Sequence, residues 1–376
     1  MKKICALTIC LVILFLVAID AIPVNAQTST ITIDGNGNID PQVTAIQRDG
    51  NTYTLNADLK NTPIVVEANN IILDGAGHTV KGSDSRNAQI ALNLTAANVA
   101  VRNLQIQSWE VGILGAWNNN TIVNNTLNDN NKGIAIYGND YVIRQNTVNG
   151  SSTALFIDGG KIRPHGDNNL IINNRITRST IALDILTSDG TTVKENEIAN
   201  NDCILFLATD TENTLFLGNN FVNNRKILTI PFGGPFVEGA PTFSPAGQWD
   251  NGTAGNYWSD YQTIYPNASE VDHKGTGNIP YEIACTLPYT TQKEDGSILA
   301  QGVATLGTAV DNHPLMAPVE IPFSYGGQPS PSPSVPEFSA LILLVIGLLV
   351  VYGFVLVAVR YPSFFTKRLK RGINSK

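Results

Sequence analysis

Charge is scarce in this chain: Asp, Glu, Lys and Arg supply 15% of its 376 residues, while His and Cys occur four times each and Met twice. So few cysteines exclude a disulfide-built miniature fold. Hydrophobic residues reach 43%, too many for a disordered chain. Basic residues are scarcest where they would matter for nucleic acid. Gln27 to Phe338 holds 30 acidic side chains against 16 basic ones, whereas the first 26 residues and the tail from Ser339 hold one acid and eight bases. An acidic body lacks the clustered Lys and Arg that displace counterions from phosphates, which excludes nucleic acid as a partner.

The basic residues mark the two ends. Lys2 and Lys3 precede the apolar run Ile4 to Ile19, and Val24-Asn25-Ala26 supplies small residues for cleavage, the pattern of a signal peptide over 1–26. An uncleaved anchor is the alternative. Ser339 to Val359 is 21 residues without a charge, enough at about 1.5 Å per residue to cross a bilayer core of about 30 Å. Arg360, Lys367, Arg368, Lys370 and Arg371 follow it, so 360–376 is expected in the cytoplasm and the body outside the cell. Residues 321–338, with Pro and Ser alternating from Pro329, form a stiff linker. Cys5 and Cys10 fall in the signal, leaving Cys203 and Cys285 either to pair in an oxidising compartment or, for Cys203, to act as a small buried residue.

What the middle has is a repeat. Asn125, Asn146, Asn174, Asn196 and Asn220 each stand two residues before Leu127, Val148, Ile176, Ile198 and Val222, with spacings of 21, 28, 22 and 24. Ala91, Gly112, Gly133, Ala154, Ala182 and Cys203 form a second series with spacings of 21, 21, 21, 28 and 21. Both stretch at one place, which a single insertion around Lys161 to Asp167 explains. Each unit carries short period-two runs and no helical pattern, and the leucine-rich frame is missing. The fold class is therefore all-β: a right-handed single-stranded parallel β-helix over 63–246, with an N-terminal cap at 27–62, a C-terminal cap module at 247–320 and one C-terminal transmembrane helix at 339–359. Stacked turns put the Asn side chains in a ladder, where their amides satisfy backbone groups that a bend leaves unpaired, with Leu104 holding the place before Asn125. Trp249 and Trp258 are expected to anchor the cap.

Glu67 to Val80, Trp249-Asp-Asn-Gly-Thr-Ala-Gly-Asn-Tyr-Trp-Ser-Asp-Tyr261 and Asp311-Asn-His-Pro-Leu-Met316 resemble segments of the NosD-type right-handed β-helix family, which includes carbohydrate-binding and sugar-hydrolase-like surface proteins. The likeness covers roughly residues 60 to 320. Pro336-Glu337-Phe338 with the apolar span and basic tail resembles archaeal Pro-Glu-Phe sorting signals. The resemblance implies an Asp-rich loop before the last motif, but Lys274 and Asn278 stand where acids are expected. A calcium site of Asp260, Asp272 and Asn278 is then weighed against a tight turn. The family also carries a copper association, yet His78, His165, His273 and His313 have no ligand spacing. No cofactor is expected, calcium being the one candidate.

Alternation sends Ile134, Leu155, Leu183 and Ile204 inward and Asn93, Leu114, Ala135, Phe156, Asp184 and Leu205 outward, with Tyr137, Asp158, Leu186 and Leu207 two residues on. Tyr137, Phe156, Asp158 and Asp184 would form an aromatic and acidic patch beside the insertion that carries Lys161, Arg163 and His165. Two readings follow. In the first, the rod binds surface carbohydrate on Trp109, Trp117, Tyr137 and Phe156, with Arg163 and His165 adding contacts, or serves an adhesive or structural role at the surface. In the second, Asp158 and Asp184 hydrolyse a polysaccharide, or Lys161 serves as the base of a lyase. Six Asn-x-Ser/Thr sequons, at Asn93, Asn119, Asn124, Asn149, Asn251 and Asn267, permit N-glycosylation.

Overall fold

Short β-branched runs cut by Asn, Gly and Asp cannot make long strands, and in the computed structural model they wind into three walls of stacked parallel strands. The structure describes residues 30–83, 89–158, 168–186, 188–207, 213–225, 228–229, 247–271, 273–292 and 298–322. Wall A stacks Ile31–Ile33, Ile64–Val66, Ile90–Leu94, Val111–Gly115, Lys132–Ile136, Thr153–Asp158, Ile181–Leu186, Cys203–Leu207 and Leu228–Thr229. Wall B runs from Thr52–Leu55 to Leu215–Leu217, and wall C from Leu59–Lys60 to Tyr257–Trp258. Inside, Ile113, Ile134, Leu155, Leu183 and Leu205 form one fully buried row. Parallel pairing already begins at Ile31, within the stretch whose composition suggested a cap.

The corners explain the asparagines. Left-handed residues recur at Asn119, Asn124 and Asp129, then Asp140, Gln145 and Gly150, then Asn168, Asn173 and Arg178. Asn and Asp tolerate that backbone better than other side chains do. In most turns the next residue points inward and caps the bend. The Asn174 amide nitrogen donates to Ile143 O at 2.8 Å and to Asn196 Oδ1 at 3.0 Å, while its Oδ1 accepts the Asn146 backbone N–H at 2.9 Å. Leu104 opens this ladder by donating its N–H to Asn125 Oδ1. Two further corners carry their own caps, including Asn120, which also stands two residues before an inward aliphatic, Ile122, and Asn130, which does not.

Two sequence assignments are corrected by register. The ladder continues through Asn219, whose N–H donates to Asn256 Oδ1; Asn220 lies one place beyond and binds Val319 instead. Gly218 supplies the left-handed residue there, and the inward partner two places on is Phe221 rather than a β-branched residue. Cys203 pairs with Ile181, so Ile204 continues the small-residue series, and Phe206, not Leu205, stands in the row of Asp184. That turn has 22 residues, and a one-residue slip exchanges the two faces of a strand. Cys203 is buried, with its Sγ 3.3 Å from Leu205 O. Cys285 stands two turns beyond Leu205, in the row of Leu228, and Cys203 lies two residues before Leu205, so about 12 Å separates the two cysteine backbones, beyond the reach of a disulfide.

Beyond the last turns an aromatic stack closes the core. Phe216 lies on Trp249 at 4.3 Å, Phe221 on Trp258 at 4.4 Å and Trp258 on Tyr281 at 4.4 Å. The Asn ladder ends on buried Asp311, which accepts the Asn256 N–H at 2.8 Å and Trp258 Nε1 at 3.0 Å. Among the described residues no helix is long and apolar enough to cross a membrane; 1–26 and 339–359 lie outside them. The interior is filled to contact at Gly133, where a Cβ would come within 2.5 Å of Ala154 O and 2.6 Å of Val148 Cγ1. Gly133→Ala is therefore expected to cost about 1–3 kcal/mol in denaturant titration, and an unchanged midpoint would contradict this packing.

Candidate functional site

The corner residues locate the site before any side chain does. From Asn98 on, the three left-handed positions of each turn are five residues apart, as in Asn119, Asn124 and Asp129, whatever the length of the turn. The interval that varies is the one that contains wall A: 11 residues from Asp129 to Asp140, 18 from Gly150 to Asn168, 12 from Arg178 to Gly190 and 13 from Asn200 to Asn213. Turn length thus varies only in the interval that carries the wall A strand. Binding residues on rigid scaffolds concentrate at variable loops.

Along that wall, Ala135, Phe156 and Asp184 form one outward row in successive turns. Tyr137 and Asp158 each follow the strand residues Ile136 and Ile157, which pair with one another. Tyr137 is 43% exposed and sets its ring 5.6 Å from that of Phe156, which is itself buried. Trp117, 57% exposed, occupies the corner one turn earlier, its carbonyl against Gly138. Lys132 places its ammonium 3.9 Å from the Phe156 ring centroid, a cation–π contact that no repeat pattern flags.

Asp184 is the unusual member. It is only 9% exposed, and its Oδ1 is buried with no hydrogen-bond partner among the described residues. Burial pushes its carboxyl up to about 6, the Lys132 ammonium opposes that shift, and the Asp158 charge adds to it. Burial likewise raises the Tyr137 phenol, helped by Asp158 and Asp184. The cluster is therefore one electrostatic unit: two carboxyls, one ammonium and an exposed phenol on a rigid sheet.

The other sequence candidates are placed differently. Trp109 is 1% exposed and donates Nε1 to Val80 O at 3.0 Å, so its ring has no face open to a sugar and it leaves the binding set. Lys161, Arg163, His165 and Asp272 lie outside the described residues. Asp260 accepts the Tyr281 hydroxyl at 3.0 Å and Asn278 Oδ1 accepts the Ser269 N–H at 2.8 Å, so both are occupied with cap contacts.

The family model described as periplasmic copper-binding protein (NosD) matches residues 44–263. No curated protein matches. Among solved structures, a mutant tailspike protein of E. coli bacteriophage HK620 in complex with a pentasaccharide is similar at 12% identity and a TM-score of 0.38; the match covers 55% of this chain and 40% of that one. The described residues do not fit copper. His78 Nδ1 is 3.2 Å from Asp58 and His313 Nδ1 is 3.0 Å from Asp250, both single pairs, and no three His, Cys, Asp or Glu converge among the described residues. Because the matched stretch is more than half of the 376 residues and coincides with the three-walled winding, the chain belongs to the NosD family.

Proposed function

We propose that this chain is a cell-surface β-helix that binds carbohydrate on the outward side of wall A. The observation that carries the reading is the exposed Tyr137 ring held against Phe156 beside Asp158 and Asp184. A flat aromatic offers its face to the C–H side of a sugar ring, and adjacent carboxylates accept hydroxyl hydrogen bonds, while a stacked wall keeps both in fixed register. Trp117 extends the aromatic surface by one turn. The family's description as periplasmic, the signal-like start and the apolar segment 339–359 with its basic tail support a body held outside the cell by one C-terminal helix. Tyr137→Ala and Trp117→Ala are each expected to weaken a glycan selected on an array by about tenfold, roughly 1.4 kcal/mol. Binding that survives both substitutions would remove this face from the proposal.

A second reading is favoured by the unpartnered Asp184 oxygen. A carboxyl that stays protonated toward neutrality can donate a proton to a leaving oxygen, as a general acid must. Asp158 stands one turn and two residues away, about 8 Å by strand geometry, within the separation at which a carboxylate activates water for inversion. The two readings separate cleanly. Hydrolysis requires reducing-end release that disappears in Asp184→Asn with binding retained; binding without release would leave the first reading alone.

A further inference from the structure

We propose that Asn251, on the C-terminal cap, is the acceptor for an N-linked glycan, and that the sequons of the rod are not. Six sequons look equivalent in sequence, and the fold makes them unequal. Asn119 and Asn124 donate their amide nitrogens to Asn98 and Asn103 in the preceding turn, and Asn149 donates to Asn128 at 3.3 Å. A sugar on any of these nitrogens would stand in the space of the adjacent turn. Asn93 lies within wall A, half-buried between Val65 and Leu114, and the hydroxyl of its sequon partner Thr95 is turned away to Val66 O.

Asn251-Gly252-Thr253 differs in every respect. All three residues are exposed, and the Asn251 amide nitrogen makes no hydrogen bond among the described residues. Its Oδ1 accepts three donors: the Thr253 hydroxyl at 2.8 Å, the Thr253 N–H at 3.0 Å and the Ala254 N–H at 2.9 Å. Three donors on the amide oxygen draw electron density from nitrogen and make its N–H more acidic, which eases proton loss as nitrogen bonds to carbon. The turn is held from behind. Trp249 is buried in the cap, and Asp250 accepts the Gly252 N–H at 2.8 Å and the Asn312 N–H at 3.0 Å. Gly252 takes a φ of +82°, where other side chains are strained. Asn267 is exposed as well, but among the described residues no hydroxyl donates to its side-chain oxygen.

In the reaction, Asn251 Nδ2 attacks the anomeric carbon of an oligosaccharide carried on a polyisoprenyl pyrophosphate. The new N–C bond forms as the bond from that carbon to phosphate oxygen breaks. The pyrophosphate leaves with the electron pair, and one amide proton passes to the transferase base. The inference rests on the body lying outside the cell, so transfer is tested apart from export.

Full-length protein in detergent is incubated with a purified oligosaccharyltransferase and the lipid-linked oligosaccharide, and each sequon's occupancy is read by mass spectrometry. Asn251 should be modified and Asn119, Asn124 and Asn149 about tenfold less, the equivalent of releasing one ladder bond at about 1.4 kcal/mol. Gly252→Ala keeps the sequon and disfavours the turn; it should lower occupancy about fivefold. Circular dichroism checks that the variant stays folded. Rod sequons filled as readily as Asn251, an unmodified Asn251, or occupancy indifferent to Gly252→Ala would each overturn the proposal. Protease shaving of intact cells tests the external placement separately.

Discussion

Asn174→Leu should destabilise the rod by about 4–6 kcal/mol, although Leu keeps the branched heavy-atom skeleton of Asn and the site is fully buried. The size follows from the five hydrogen bonds lost. The Asn146 N–H loses its acceptor, and the carbonyls of Ile143 and Ile172 lose the Asn174 amide as donor. The amide of Asn146 and the Oδ1 of Asn196 each lose a rung as well. A buried backbone group without a partner costs about 1–3 kcal/mol, and no water reaches the interior of the corner to replace the amide. Because each turn contacts only its neighbours, the loss should appear as local opening of the flanking turns rather than as uniform melting. Hydrogen exchange of the amides at Asn146, Asn174 and Asn196 reads it directly. A loss below about 1 kcal/mol would mean that the ladder is ornament rather than support. Asn220→Ala is the internal control: its side chain closes only a pair of bonds with Val319, so its effect should stay near 1–2 kcal/mol.

The same ladder shows how far sequence reasoning reaches. Asn125, Asn146, Asn174 and Asn196 were legible because a corner amide recurs once per turn and an inward aliphatic follows it at a fixed offset. At Gly218-Asn219-Asn220 the local cue fails, since the aliphatic gives way to Phe221 where the core meets the cap aromatics. Similarity of type misplaced Cys203 by one residue, and with it the strand partner of Asp184, which is Phe206. Strands do not reveal an added residue in a neighbouring connection; only pairing does. Asp311 opens the recognisable segment Asp311 to Met316, but nothing local marks it as the end of the ladder. It ends the ladder from 55 residues beyond Asn256, a relation that exists only in three dimensions. In the candidate site, alternation alone placed Tyr137, Phe156, Asp158 and Asp184 on one surface, whereas the contact of Lys132 with Phe156 and the burial of Trp109 depend on side-chain packing that period-two reasoning does not resolve.

Asp184→Asn should make the protein more stable at pH 7 to 8, by about 3 kcal/mol. Its carboxyl titrates near 6 in the folded chain and near 3.8 when free. Between those values the folded state holds the extra proton, so stability falls as pH rises from about 4 to about 6 and is level above. Asparagine mimics the protonated acid without the buried charge, and the variant should lose this part of the slope in thermal melts across pH 4 to 8. Asp311 is also pushed up to about 6 by burial, but the same substitution there should destabilise. Four donors face that carboxylate, and an amide would set its own N–H against the His313 N–H or the pair from Asn256 and Trp258. The difference separates a carboxylate that the fold is built around from one that the fold merely tolerates. Asp184 has one ammonium near it, an oxygen without a partner among the described residues and a charged neighbour of its own sign. A group held against stability in this way, beside exposed aromatic rings, is what a site for ligand or proton transfer looks like before its ligand is known. If Asp184→Asn instead lowers the melting temperature at pH 7, the carboxylate is structural and both carbohydrate readings lose their strongest chemical support.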